Sequence, residues 1–227
     1  MLPKSIYSFL VFAVVIRAGE PAWKTKDATQ WSREEAQQVL SNSPWVHMTE
    51  IQILRSLSES QMRDAGKMGM THGVGLEALE PSIFLGTGTG KRLIKQPPAR
   101  ATLMVRWESA PVVRSAEMKT SDKRAPTWDG DYYAIAVYGV PGLEDQKTLP
   151  VELKKSAYLK RGTKDLKPAH VDLLFEDRLA TVVYLFPRTQ QITPADKKVW
   201  FVTQIGQLFL EQIFDLNEMQ FQGKLEL

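Results

Sequence analysis

Apolar residues recur along this chain at two periods, and the change between them divides it into elements. Between Ser32 and Pro44 the period is helical, with Ala36, Val39 and Leu40 at i, i+3 and i+4 on one face. Ser32 stands at the cap position, Glu35 three residues later completes a capping box, and Asn42, Ser43 and Pro44 supply the stop. Trp23, Trp31 and Trp45 surround this helix, which reads as a lid over the end of a sheet with the indoles as packing residues. The β-branched and apolar content of Trp45 to Leu54 predicts a strand, as does Ala101 to Trp107 (ATLMVRW). Ser109, Ala110 and Pro111 open a short helix running to about Met118. A charged connector, Thr120 to Pro126, follows. Asp129, Gly130 and Asp131 form the turn before a strand from Tyr132 to Val140, which Pro141 and Gly142 end. Leu149 to Ala157 has room for one or two helical turns.

Beyond this point the pattern is β. His170 to Phe175 and Leu179 to Phe186 are apolar runs parted by Glu176, Asp177 and Arg178, a hairpin by length and composition. Val199 to Ile205 and Leu208 to Phe214 flank Gly206 and Gln207 and predict a second hairpin. In its first arm Val199, Phe201, Thr203 and Ile205 form the more apolar face, so the odd positions point inward. Met219 to Leu227 alternates Phe221, Gly223, Leu225 and Leu227 with polar residues and predicts a terminal strand. Seven or eight strands with few helices place the chain among mostly β proteins, at the margin of α+β. The expected architecture is an antiparallel β-sandwich or a partly open barrel, with a short N-terminal helix and one or two further small helices. No internal repeat or low-complexity tract interrupts it.

Two stretches fall outside this pattern. Residues 55–80 lose periodicity, gather Gly66, Gly69, Gly73 and Gly75, and scatter Met62, Met68 and Met70 among charges, which predicts a long mobile loop. At the other end, Lys4 precedes an apolar run from Ile6 to Ile16 broken only by Tyr7 and Ser8, followed by Ala18 and Gly19. This is the outline of a secretory signal peptide over residues 1–18, with cleavage after Ala18. The run is about half of the roughly twenty apolar residues that a membrane span requires. Its imperfect small-residue exit, with Ile16 three residues before the cut, leaves retention as an anchor as the alternative. Residues 19–227 are then expected to form one globular β-rich domain in the periplasm or outside the cell, with no stable membrane span after cleavage.

Composition narrows the chemistry. The chain has no cysteine, so neither a disulfide nor a lipid-bearing cysteine is available. Formal charge falls from +3 to +1 once Lys4 and Arg17 leave with the leader, which offers nucleic acid no basic surface. The three histidines, His47, His72 and His170, lack the short spacings of a zinc site, so no metal or other cofactor is expected. Gly86 to Lys91 (GTGTGK) is one residue short of a phosphate loop and has Arg92 where the magnesium-binding hydroxyl belongs; the dinucleotide fingerprint fails as well. There is no Gly-x-Ser-x-Gly elbow.

Two local groupings remain. Asp129 and Asp131 lie two residues apart beside Trp128, Tyr132 and Tyr133. Paired carboxylates can share a hard cation such as calcium, and the aromatic faces can stack on sugar rings, although Asp-Gly-Asp is also ordinary turn chemistry. Arg106, Trp107, Glu108 and Ser109 form a polar and aromatic knot where a strand passes into a helix. Arg106 and Glu108 share a strand face and are expected to form a structural ion pair. The candidate ligand-binding residues are therefore Trp107, Glu108, Trp128, Asp129, Asp131 and Tyr132, with no catalytic residue assigned.

The segments WSREEAQQVLSNSPW (31–45), VRWESA (105–110), LFPR (185–188) and MQFQGKLEL (219–227) resemble those of a family of exported bacterial proteins of unknown function. The resemblance covers most of residues 19–227 and implies a shared architecture and an extracytoplasmic location, but no activity, cofactor or site residue. Sequence alone thus leads to an exported, non-enzymatic domain that binds an envelope or extracellular protein or a glycan. Two other readings stay open: a hydrolase of envelope polymer using Glu108 with Asp129 and Asp131, and a structural assembly subunit.

Overall fold

Every strand pairing among the described residues is antiparallel. The structure is a computed structural model that describes residues 20–53, 99–143 and 148–227. The expected leader (1–18), the loop expected at 55–80 and the glycine run 86–91 lie outside the described residues.

The chain opens with a single helical turn, α1 (Ala22–Thr25), and then α2 (Arg33–Ser41). The capping box forms as the sequence indicates: Ser32 Oγ accepts from Glu35 N at 3.1 Å, and Glu35 Oε2 accepts from Ser32 N at 2.8 Å. Ala36, Val39 and Leu40 are buried. Strands β1 (Val46–Ile53) and β2 (Ala99–Trp107) lead to α3 (Pro111–Thr120), whose first residue is the proline that fits an N-terminal helical position. Then come β3 (Tyr132–Pro141) and α4 (Leu149–Ser156). A short hairpin, β4 (Tyr158–Arg161) with β5 (Lys164–Leu166), has no counterpart in the hydrophobic pattern, because arms of four and three residues are too short to show a period. The two C-terminal hairpins lie where expected, as β6 (His170–Glu176) with β7 (Leu179–Pro187) and β8 (Lys198–Ile205) with β9 (Leu208–Asp215). The segment expected to be one terminal strand is instead a miniature hairpin, β10 (Gln220–Phe221) with β11 (Lys224–Leu225). It turns at Gln222 and Gly223, both at positive φ, which folds back what alternation alone would have kept straight.

The strands form a five-stranded sheet in the order β1-β2-β3-β7-β6, a four-stranded sheet in the order β5-β4-β8-β9, and the small β10-β11 pair. The larger sheets stay open and pack face to face as a β-sandwich of α+β type. Leu103, Val105, Trp107, Ile135, Val137, Val182, Tyr184 and Phe186 from the first sheet join Val199, Phe201, Ile205, Leu210 and Phe214 from the second in one buried cluster. Edge-on ring contacts cross between the sheets, Trp107 to Phe214 at 5.0 Å and Tyr184 to Phe201 at 5.2 Å between centroids. The odd-numbered face of β8 is the inward one, as its alternation requires. α2 packs along α3, and α4 lies against β6 and β8.

Trp23, Trp31 and Trp45 are all buried in this core. Trp31 meets Phe221 edge-on at 5.7 Å, and Trp45 Nε1 donates to the Glu226 carbonyl at 2.7 Å. The tryptophans around α2 therefore bolt the N-terminal segment to the C-terminal hairpin.

One irregularity in the five-stranded sheet positions the site. The β3–β7 register shifts between Val137, opposite Val182, and Val140, opposite Ala180. The extra residue is accommodated at Gly139, which has φ +80° and where an added Cβ would come within 3.1 Å of the Thr102 carbonyl oxygen. The bulge reverses the parity of β3. Tyr133, Ile135 and Val137 point into the core before it, and Val140 does so after it. Tyr138 is left on the outer face.

Candidate functional site

The outer face of the five-stranded sheet carries a second, smaller apolar cluster of Ala134, Ala136, Tyr138, Val183 and Leu185, flanked by Met104, Trp128 and Tyr132. Next to it, β-strand register places Met48, Met104 and Tyr138 side by side across β1, β2 and β3. They help to form an open cleft of about 880 Å³. Thr102, Met104, Tyr138 and Gly139 contribute from the central strands, Leu40 from α2, and Leu179 from the start of β7. Arg124, Glu176, Asp177 and Arg178 bring charge of both signs to it. Met48 and Leu179 are well exposed although apolar.

Beneath the cleft the polarity reverses. Arg106, on the outer face of β2, is almost wholly buried and serves as the hub of an ion cluster. Its Nε donates to Glu108 Oε1 at 2.5 Å, its Nη2 to Glu117 Oε1 at 2.8 Å and to Tyr138 Oη at 2.6 Å, and its Nη1 to Asp122 Oδ2 at 3.2 Å. Tyr138 Oη in turn donates to Glu108 Oε1 at 2.6 Å. Arg114 Nη1 donates to Glu117 Oε2 at 2.7 Å. The ion pair expected between Arg106 and Glu108 is thus present, as part of a larger network that also recruits α3, the connector after it and β3. Glu117, Asp122 and Tyr138 are invisible as members in the sequence, since they lie 11, 16 and 32 residues from Arg106.

The charges shift one another. Burial would lower the Arg106 guanidinium, but the negative charges around it, Glu108 first, hold it firmly protonated. Burial, then hydrogen bonding with Glu108 and the Glu108 charge, push the Glu117 carboxyl up to about 9. Asp122 goes the other way: burial opposes its charge, but the Arg124 amide and the Arg106 charge outweigh it and keep the carboxyl below its ordinary range. Burial foremost, with the neighbouring Glu108 charge, keeps the Tyr138 phenol protonated well beyond its usual range.

The six candidate residues divide between four environments. Trp107 is fully buried on the inner side, edge-on to Tyr133 at 6.0 Å, with its Nε1 donating to Ser109 Oγ at 3.1 Å. Glu108 is fully buried in the ion cluster. Asp129 and Asp131 stand on the exposed turn. Asp131 pairs with Arg188 Nε at 2.8 Å, an ion pair without hydrogen-bond alignment, and the Arg188 guanidinium lies 4.2 Å from the Tyr133 ring centre. Trp128 is covered by the Arg114 guanidinium at 5.0 Å, and Tyr132 meets His170 edge-on at 5.8 Å. Glu108 therefore shares no partner with Asp129 or Asp131. Among the described residues no group of three or more histidines and carboxylates is placed to hold a metal ion.

A smaller cavity of about 280 Å³ adjoins Arg188, with Tyr133, Ile192, Glu226 and Leu227 in its wall. Burial raises the Glu226 carboxyl there. None of the described helices is long and apolar enough to cross a membrane.

Comparisons with protein-family models, with curated proteins and with solved structures find no match for this chain.

Proposed function

We propose that the chain is an exported, non-enzymatic binding domain of the cell envelope, and that the cleft on the outer face of the five-stranded sheet receives an apolar segment of a protein partner. The cleft carries this reading. Its volume lies within the range of ordinary ligand sites, and its floor combines Met48, Met104 and Leu179, side chains that adapt to the shape of an apolar partner. The Tyr138 hydroxyl, which could otherwise act on a ligand, is committed to Arg106 and Glu108. A protein segment suits this surface better than a glycan. Sugar rings need open aromatic faces, and Trp128, the nearest tryptophan to the outer face, is already stacked under Arg114. Export is supported by the leader pattern.

The test is a titration of ¹³C-methyl-methionine protein with short peptides rich in Leu, Phe and Met. Met48 and Met104 resonances are expected to shift while Met118, exposed on α3, does not, and Leu179→Asp should abolish the response. Shifts spread over all methionines, or none at any concentration, would sink the reading. Export is tested separately by sequencing the N-terminus of protein recovered from the producing cells. A start at Gly19 supports it, and a cytoplasmic protein retaining residues 1–18 refutes it.

A further inference from the structure

Glu108 and Glu117 sit on the same edge of one guanidinium. Nε and Nη2 of an arginine form one side of its planar fork, a side that ordinarily receives the two oxygens of a single carboxylate. In this protein Nε is taken by Glu108 Oε1 and Nη2 by Glu117 Oε1, so two carboxyl groups share the place of one. Both side chains are buried, so their negative charges are crowded against one cation with little water to separate them. Two ionised carboxylates in that arrangement repel, because neither has a hydrogen to offer the other.

The donor inventory leads to the same point. The Arg106 donors go to Glu108, Glu117, Asp122 and Tyr138, the Tyr138 hydrogen goes to Glu108 Oε1, and Arg114 serves Glu117 Oε2. Glu108 Oε2 is buried and receives nothing from any of them. One added proton resolves both anomalies, since a protonated Glu117 can donate to Glu108 and the buried core of the cluster then carries one positive and one negative charge.

We propose that Glu108 and Glu117 hold a single proton between them at neutral pH, and that this proton latches α3 to the sheet and fixes Tyr138 in the floor of the cleft. Glu108 and Arg106 come from β2, Tyr138 from β3, Glu117 and Arg114 from α3, and Asp122 with its partner Arg124 from the connector after α3. On α2, which packs along α3, Arg33 is directed to the Thr120 carbonyl at the end of α3, and Glu35 is held by the capping box and Lys26. Loss of the proton places two negative charges on one guanidinium edge and drives Glu117, and α3 with it, away from Glu108. Tyr138 and Arg124 both touch the cluster and the cleft, so the cleft changes shape as the latch opens. The consequence for binding rests on the cleft being the ligand site; the proton itself does not.

Two measurements on the full chain, neither using a ligand, test this and leave the binding reading independently testable. In ¹³C-carboxyl-glutamate protein, the Glu117 carboxyl is expected to be protonated at pH 7 and to titrate near 9. The Met104 methyl resonance should move with the same midpoint, and Glu117→Gln, which keeps a donor toward Glu108 but cannot ionise, should remove that movement. Glu108→Gln supplies the second variant and should return Glu117 toward its ordinary range. A Glu117 carboxyl already ionised at pH 7 overturns the shared proton. An alkaline titration that leaves Met104 still overturns the coupling to the cleft.

Discussion

The hydroxyls of Tyr184 on β7 and Thr203 on β8 meet at 2.8 Å in the middle of the core, a fully buried polar tie between the two sheets. Burial pushes the Tyr184 phenol well above its usual range, so the hydroxyl keeps its hydrogen past the pH at which a free tyrosine ionises. Removing one partner strands the other. Tyr184→Phe or Thr203→Val alone should each cost about 1–3 kcal/mol, while the double variant should cost less than their sum. Urea unfolding of the four proteins of this cycle checks it, and strict additivity would show that the contact carries no coupling.

The capping box of α2 is the feature most directly written in the sequence, and its contribution can be isolated. Ser32→Ala removes the acceptor for the Glu35 amide and is expected to lower stability by about 1 kcal/mol. Ser32→Gly should cost only a few tenths. Thermal unfolding of both variants checks the order, which reverses if packing of α2, and not its cap, dominates.

Arg106→Met should be among the most damaging single changes in the protein. It leaves Glu108, Glu117 and Asp122 without their common cation, and breaking a buried ion pair from one side costs about 3–5 kcal/mol. The loss should shrink at mildly acidic pH, where the stranded carboxyls can take up protons. Denaturation at pH 5 and pH 8 distinguishes this from simple loss of packing, which would be equal at both.

Stability should peak between mildly acidic and neutral pH. Glu117 is raised from 4.5 to about 9, so its contribution is complete below 4.5 and is lost as pH rises toward and through 9. His47, lowered chiefly by burial, and Asp122, held below its ordinary range, act in the opposite sense: each contribution is present above the group's ordinary value and is lost as pH falls. Glu117→Gln should flatten the alkaline limb and leave the acid limb in place. A pH series of unfolding midpoints reads both limbs at once.

Gly139 should tolerate no side chain. At φ +80° and with the Thr102 carbonyl oxygen 3.1 Å from a new Cβ, Gly139→Val is strained in backbone and in space. Because the bulge sets which way Val140 faces and Gly139 lines the cleft beside Tyr138 and Met104, the variant is expected to lose stability and to move the Met104 methyl resonance. A stable Gly139→Val protein with an unchanged Met104 signal would show that the bulge does not shape the cleft.

The elements legible along the chain are those whose information is local. The cap at Ser32, the proline start of α3, the turns around Asp177 and Gly206 and the inward parity of Val199, Phe201 and Ile205 all follow from side chains within a few positions of one another, because caps, turns and alternation are properties of short stretches of backbone. The Arg106–Glu108 pair was legible for the same reason, two residues apart on one strand face. The rest emerges on folding. It folded Met219 to Leu227 back on itself, buried Trp107 in the core and Glu108 in the ion cluster, and turned Val140 inward through a bulge that period-two reading cannot register. It also brought Glu117, Asp122 and Tyr138 to a single guanidinium. Those relations join segments distant along the chain, and a buried charge finds its partners through sheet register and helix packing, neither of which is encoded in the residues beside it.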